Sequence, residues 1–238
     1  MILCIADVLS ADEVKALATQ LADATFEDGK LTAGWHAKLV KNNLQLSKDS
    51  AGIAASIQSF VLSALKRHSL FQMAARPKIV RPPILSRYEP GMAYGTHVDN
   101  AVMLVSAGYE SEGSALADVP SHMRADISLT LFLSDPDTYS GGELVIESTQ
   151  GEQSFKLPAG AMVLYPSSTL HRVEPVTQGQ RLAAVSWVQS MVKDDARREI
   201  LFDLDTARQL IFEKYGKTSE FDLIAKSQSN LLRSWVEL

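Results

Sequence analysis

The sequence predicts a mainly β protein with α-helices at both ends, its middle a sandwich or jelly roll. Helical spacing of apolar residues marks the first part of the chain, and prolines at 77, 82, 83 and 90 then forbid helix. Short β-type runs separated by turn residues follow until about residue 192, after which helical spacing returns. The organisation expected is an N-terminal helical support over 1–77, a β core over 78–192 and a C-terminal helical extension over 193–238.

In order along the chain, Ser10 stands three residues before Glu13, the pattern of a capping box, and Val14, Leu17, Ala18 and Leu21 recur at helical spacing. A second helix is expected from about 49 to 66, with Ile53, Ile57, Phe60, Val61 and Leu65 on one stripe. In "DISLTLFLSD", Ile127, Leu129, Leu131 and Leu133 alternate with Ser128, Thr130 and Phe132, a strand with one strongly apolar face. "SGG" at 140–142 turns into the strand "ELVIE". Further strands are expected at 153–157, 161–165, 171–176 and 181–190, joined by Pro158-Ala159-Gly160 and Gln178-Gly179-Gln180. Many short strands at regular spacing point to the sandwich or jelly roll. The tail shows an apolar stripe of Ile200, Leu204, Ala207, Leu210 and Ile211, which suits either a cover over the core or an interface in a homo-oligomer.

Composition narrows the function. The chain has 238 residues, 46% hydrophobic, enough for a full core. A net charge of −5, with lysines and arginines scattered, argues against nucleic acid or an anionic membrane as partner. Cys4 is the only cysteine, so no internal disulfide, cysteine-rich zinc site or iron–sulfur cluster is available, and a cytoplasmic location is expected. The start, "MILCIADVLSADEV", reads as neither signal nor transit peptide, and no apolar run is long enough for a membrane helix.

Within "YGTHVDN", residues 94–100, His97 and Asp99 would share one side of an extended segment, where two hard donors can grip a cation. Chance alone gives roughly 0.3 such triplets in this composition, so the motif needs a partner. His36, His68 and His122 read as an early residue, a helix C-terminus and a polar loop respectively. His171 differs, opening a strand within the same β region. Two imidazoles and one carboxylate with open positions opposite suit non-haem Fe(II) oxygen chemistry. Arg181, opening the strand "RLAAVSWV", would need an anionic partner if it pointed inward, such as a dicarboxylate held bidentately. Pointing outward, it would simply be a strand-end cation in water.

Four stretches, "RYEPGMAYGTHVDN", "DISLTLFLSDPDTYSGGELVIE", "LPAGAMVLYPSSTLHRVEPVTQGQR" and "WVQSMVKDDARREILFDLD", closely resemble the PKHD-type hydroxylases, bacterial relatives of the prolyl hydroxylases among the Fe(II)/2-oxoglutarate-dependent dioxygenases. The resemblance spans nearly the whole chain. It implies a double-stranded β-helix (jelly roll) with helices outside, with iron held by His97, Asp99 and His171. It implies Arg181 on the distal carboxylate of 2-oxoglutarate, O2 as co-reactant and L-ascorbate as accessory reductant. One departure is that Arg181-Leu182-Ala183 lacks the serine or threonine that many relatives place two residues after the arginine. Tyr88 is the expected second donor, Tyr94 a residue of the substrate side, and Asn100 and Ser168 the expected hydrogen-bond partners of the ligands. The long polar segment 101–125 suits either a substrate lid or a disordered excursion without a role.

The resemblance implies hydroxylation of a C–H bond with release of succinate and CO2. The substrate expected is a small molecule or peptide: peptidyl, amino-acid-like or siderophore-like. Two alternatives share the same triad: a zinc-dependent hydrolase with bound water as nucleophile, and a non-catalytic jelly-roll module binding a metal or small molecule in iron uptake.

Overall fold

The structure, a computed structural model, describes residues 1–105 and 122–237. Strand β1 (Leu3–Ile5) leads into helix α1 (Ala11–Ala22), where Ser10 and Glu13 form the expected capping box. Three short strands follow, β2 (Phe26–Asp28), β3 (Lys41–Asn42) and β4 (Leu44–Leu46), and then helices α2 (Ala51–Arg67) and α3 (Ser69–Ala75). Next come β5 (Pro77–Val80), β6 (Ile84–Tyr88) and β7 (Ala93–His97), and the paired strands β8 (Val102–Leu104) and β9 (His122–Arg124). The core continues through β10 (Ile127–Phe132), β11 (Tyr139–Gly141), β12 (Leu144–Ser148) and β13 (Gly151–Phe155). It is completed by β14 (Met162–Pro166), β15 (His171–Val173), β16 (Val176–Gly179) and β17 (Arg181–Ser190). Helices α4 (Asp195–Tyr215) and α5 (Ser219–Trp235) form an antiparallel hairpin at the end.

Two antiparallel sheets face one another. The larger runs β1-β14-β10-β17-β6-β4-β2 with β5 beside β17; the smaller runs β13-β12-β15-β7-β3. This is the jelly roll expected, and the period-2 alternation of its central strands sorts their side chains between two interiors, while the edge strand β13 is mostly exposed. Ile127, Leu129, Leu131, Met162, Leu164, Ala184 and Val188 pack outward onto Leu17, Ile57, Val61 and Phe71 of the helices. The alternate residues Tyr88, Phe132, Val163 and Tyr165 meet Leu144, Ile146 and Val173 of the smaller sheet. The polar alternates of β10 therefore face an interior too; all six of its residues are buried.

Several expectations are corrected. The first 77 residues are not wholly helical, because β1 to β4 join both sheets. A third helix, α3, follows His68, since His68 is extended at the end of α2 and breaks the run. The strand expected at 171–176 is two strands, β15 and β16, which pair with different neighbours, and β16 absorbs Gln178 and Gly179. The strand expected at 153–157 begins two residues earlier, at Gly151, whose φ of +107° serves the hairpin turn. In the tail, Ile200 and Leu210 are exposed, and the buried residues of α4 are Arg198, Leu201 and Asp205, with Asp205 ion-paired to Arg76. The helix docks through a buried charge pair as well as a leucine, which apolar periodicity alone does not reveal. Among the described residues, no helix is long and apolar enough to cross a membrane. The candidate lid within 101–125 falls mostly on residues 106–121, outside the described residues.

Candidate active site

His97 ends β7 and His171 begins β15, and the ladder between these strands sets the two residues directly opposite one another. Their ring centroids lie 4.3 Å apart. Asp99, just past the end of β7, turns back so that its Oδ2 lies 3.7 Å from His171 Nε2. One ligand atom from each of the three residues lies within 4.8 Å of the others, and among the described residues this is the group able to hold a metal ion. His36 and His68 take no part in it. His122, expected in a polar loop, lies on β9 and lines the same cavity.

The two imidazoles are aimed by the backbone. His97 Nδ1 meets the Gly95 carbonyl at 2.9 Å and His171 Nδ1 meets the Thr169 carbonyl at 3.0 Å. A carbonyl only accepts, so each Nδ1 carries the proton and each Nε2 keeps its lone pair for a cation. Burial, and then the nearby His171, push His97 down to about 4, so it is neutral at physiological pH. Asp99 Oδ2 accepts a 2.6 Å hydrogen bond from Ser128 Oγ, which also meets Ser167 Oγ at 2.8 Å. Asn100 and Ser168, the partners expected from sequence, make no such bonds. Ser128 is legible only as one of the polar alternates of β10. Tyr94 stacks on His97 with centroids 3.7 Å apart and 16° between planes, so it packs on a member of the triad.

These residues line a cavity of about 420 Å³, within the range of small-molecule sites. On its opposite wall Arg181 is 1% exposed, pointing inward, and its Nε and Nη2 have no hydrogen-bond partner among the described residues. Leaving such donors buried and unsatisfied is costly, and an incoming carboxylate would satisfy them. The guanidinium carbon lies 5.2 Å from the Tyr88 ring centroid and 5.4 Å from that of Phe132. Tyr88 is the register partner of Arg181 on β6, and burial raises its hydroxyl above the ordinary range, so it stays protonated and able to donate. Tyr139 stands beside Arg181, and its hydroxyl lacks a well-formed hydrogen bond. Gly142 makes room for the arginine: at φ +69°, an added Cβ would meet Arg181 Cδ at 3.0 Å and Val176 Cγ2 at 2.9 Å.

Two nitrogen donors and one carboxylate on one side of a buried cleft, facing an unpaired guanidinium, fit a ferrous ion and a dicarboxylate cosubstrate. The chain is 57% identical over all 238 residues to PKHD-type hydroxylases of two Synechococcus strains, JA-2-3B'a(2-13) and JA-3-3Ab, with the whole of each chain covered. The chain belongs to the PKHD-type hydroxylases. It is also 51% identical over 238 residues to the PKHD-type hydroxylase of Thermosynechococcus vestitus, again covering both chains. The 2OG-Fe(II) oxygenase superfamily model matches residues 83–189, and the PKHD-type hydroxylase C-terminal domain matches residues 195–237. Among solved structures, the fold is similar to the non-heme alpha ketoglutarate dependent epimerase SnoN from nogalamycin biosynthesis, with TM-score 0.52 and 13% identity over 80% of this chain and 78% of that one. It is similar too to a prolyl hydroxylase in complex with a hypoxia inducible factor peptide fragment from Trichoplax adhaerens, with TM-score 0.50 and 12% identity over 84% and 86%. Like the other PKHD-type hydroxylases, the protein is a 2-oxoglutarate-dependent hydroxylase that uses Fe(II), 2-oxoglutarate and O2. Neither the zinc hydrolase nor the non-catalytic module is favoured.

Proposed function

We propose that the protein hydroxylates an unactivated C–H bond of a peptidyl, amino-acid-like or siderophore-like substrate and releases succinate and CO2. His97, Asp99 and His171 hold the metal, Arg181 takes the distal carboxylate of 2-oxoglutarate, and Tyr88 donates beside it. When bound, Fe(II) and 2-oxoglutarate supply the oxygen activation. The chain supplies orientation and a dry pocket. The Gly95 and Thr169 carbonyls hold both imidazoles in the tautomer that presents Nε2, and Ser128 holds the Asp99 carboxylate. Phe132 and the ring of Tyr88 close around the guanidinium, strengthening its pull on a carboxylate by excluding water. L-ascorbate acts as reductant in this reading, and the reaction takes place in the cytoplasm.

The observation that carries the proposal is the meeting of the triad and the unpartnered Arg181 in one cavity. Anaerobic addition of Fe(II) and 2-oxoglutarate should give a visible metal-to-ligand charge-transfer band that is absent in His171→Ala. A folded protein without the band would count against the assignment. With the band in hand, exposure to a metabolite extract under oxygen, followed by mass spectrometry for products heavier by one oxygen atom, reads out the substrate.

A further inference from the structure

Lys41 lines the same cavity and the proposed reaction does not use it. It sits on β3, at the edge of the smaller sheet, where it is the register partner of Tyr94. Its residue is 5% exposed, and its Nζ lies 5.2 Å from the Tyr94 ring centroid, the ring stacked on His97. The ammonium makes one hydrogen bond, to Thr32 Oγ1 at 3.2 Å, and no ion pair among the described residues. Thr32 Oγ1 donates to Gln45 Oε1 at 2.6 Å and also lies 3.2 Å from the Gly29 carbonyl, and the Gln45 amide nitrogen makes no hydrogen bond among the described residues, so it remains a further donor. Lys41, Thr32 and Gln45 thus form a connected wall of the cavity with donors to spare.

An unpaired buried ammonium is expensive. Desolvation pulls Lys41 down to about 8, against the more distant attraction of Asp28 and Asp99. Charge balance extends the point. On the reading given above, the two positive charges of the metal and that of Arg181 are matched by Asp99 and the two carboxylates of 2-oxoglutarate. Lys41 and Arg81 are then left over. Arg81, also at the cavity, has a carbonyl partner in Leu104 and the Trp187 ring to lie on; among the described residues Lys41 has only a hydroxyl and an aromatic face.

Resting on that reading, we propose that Lys41 is a specificity-determining residue: the molecule hydroxylated carries a free carboxylate, received by Lys41 Nζ and the Gln45 amide. The carboxylate is the fitting anion because one ammonium flanked by neutral donors matches a single negative charge, whereas a phosphate dianion calls for more cations. The substrate is thereby an amino-acid-like or chelator-like acid, or a chain end, in place of an internal peptide segment.

The test uses the anaerobic Fe(II)·2-oxoglutarate protein, its charge-transfer band first confirmed, titrated with N-acetyl-amino acids and with the matching carboxamides. Binding is followed by saturation-transfer NMR. At least one acid should bind about tenfold to a hundredfold more tightly than its amide. Lys41→Met should abolish that ratio and Lys41→Arg should keep part of it. Equal binding of acid and amide, no binding by any acid, or a ratio retained in Lys41→Met would each overturn the proposal. So would a loss of 2-oxoglutarate affinity in Lys41→Met matching the loss for the acid, because the lysine would then serve the cosubstrate. In all of these cases a wild-type band leaves the proposed function standing, while absence of the band sinks both.

Discussion

His97 and His171 are direct cross-strand partners on β7 and β15, two strands far apart in the chain and adjacent in the smaller sheet. One ladder position therefore brings together two of the three residues of the candidate metal site. Asp99 completes it from just beyond the strand end, where the chain is released from the pleat and can turn its carboxylate back toward His171. A shift of this register by one residue would send one imidazole to the other face of the sheet.

Ser128→Ala should test how the carboxylate is held. The variant loses the 2.6 Å hydrogen bond to Asp99 Oδ2 and leaves Ser167 with one partner fewer. Metal affinity should fall by about 10- to 100-fold, as when other partners of ligating groups are removed. A titration with Fe(II) or Mn(II), beside a thermal melt, separates this from a folding defect. Unchanged affinity would show that Asp99 is held by something else.

Arg181→Met should abolish the stabilisation that 2-oxoglutarate confers. In the wild type, cosubstrate at a hundred times its Kd should add about 2.7 kcal/mol of stability, seen as a higher Tm. The variant should show no such rise, though it still binds metal. Its own stability should hold, because the guanidinium donors it loses are unsatisfied in the free protein.

Gly142→Ala should act on the same arginine from behind. The position has φ +69°, and a Cβ there would press on Arg181 Cδ and Val176 Cγ2. We expect a stability loss of about 1 kcal/mol or more together with a raised KM for 2-oxoglutarate. A lower Tm with an unchanged KM would mean that the arginine tolerates the intrusion.

Lys41→Met should make the metal-free protein more stable at pH 7. The lysine titrates at about 8 when folded and near its ordinary 10.5 when unfolded, so between those values the unfolded chain binds more protons. Wild-type stability therefore rises with pH across that window, and the penalty is fully present below it. The variant should lead by on the order of 1–3 kcal/mol below pH 8, with the gap closing by about pH 10.5. Urea melts at several pH values measure it, and a constant gap would refute the assignment of the penalty to the charge.

By itself the sequence determined the parts that local patterns encode: the capping box and stripe of α1, the stripe of α2, the alternation of β10, the long strand β17, and the His97 and Asp99 pair. Arg181 was legible as a charge heading an apolar strand, with its direction left open. His171 stood out by its place in the β region and by the resemblance; only the tertiary structure decided that it meets the pair, that Arg181 points inward, and that Ser128 and Lys41 face the site. Strands of two or three residues such as β3 carry no readable period, and a polar residue on a buried strand looks like one facing water. The reason is physical. A sheet is assembled by pairing segments distant in the chain, so the company each side chain keeps is set by the neighbouring strand and its register.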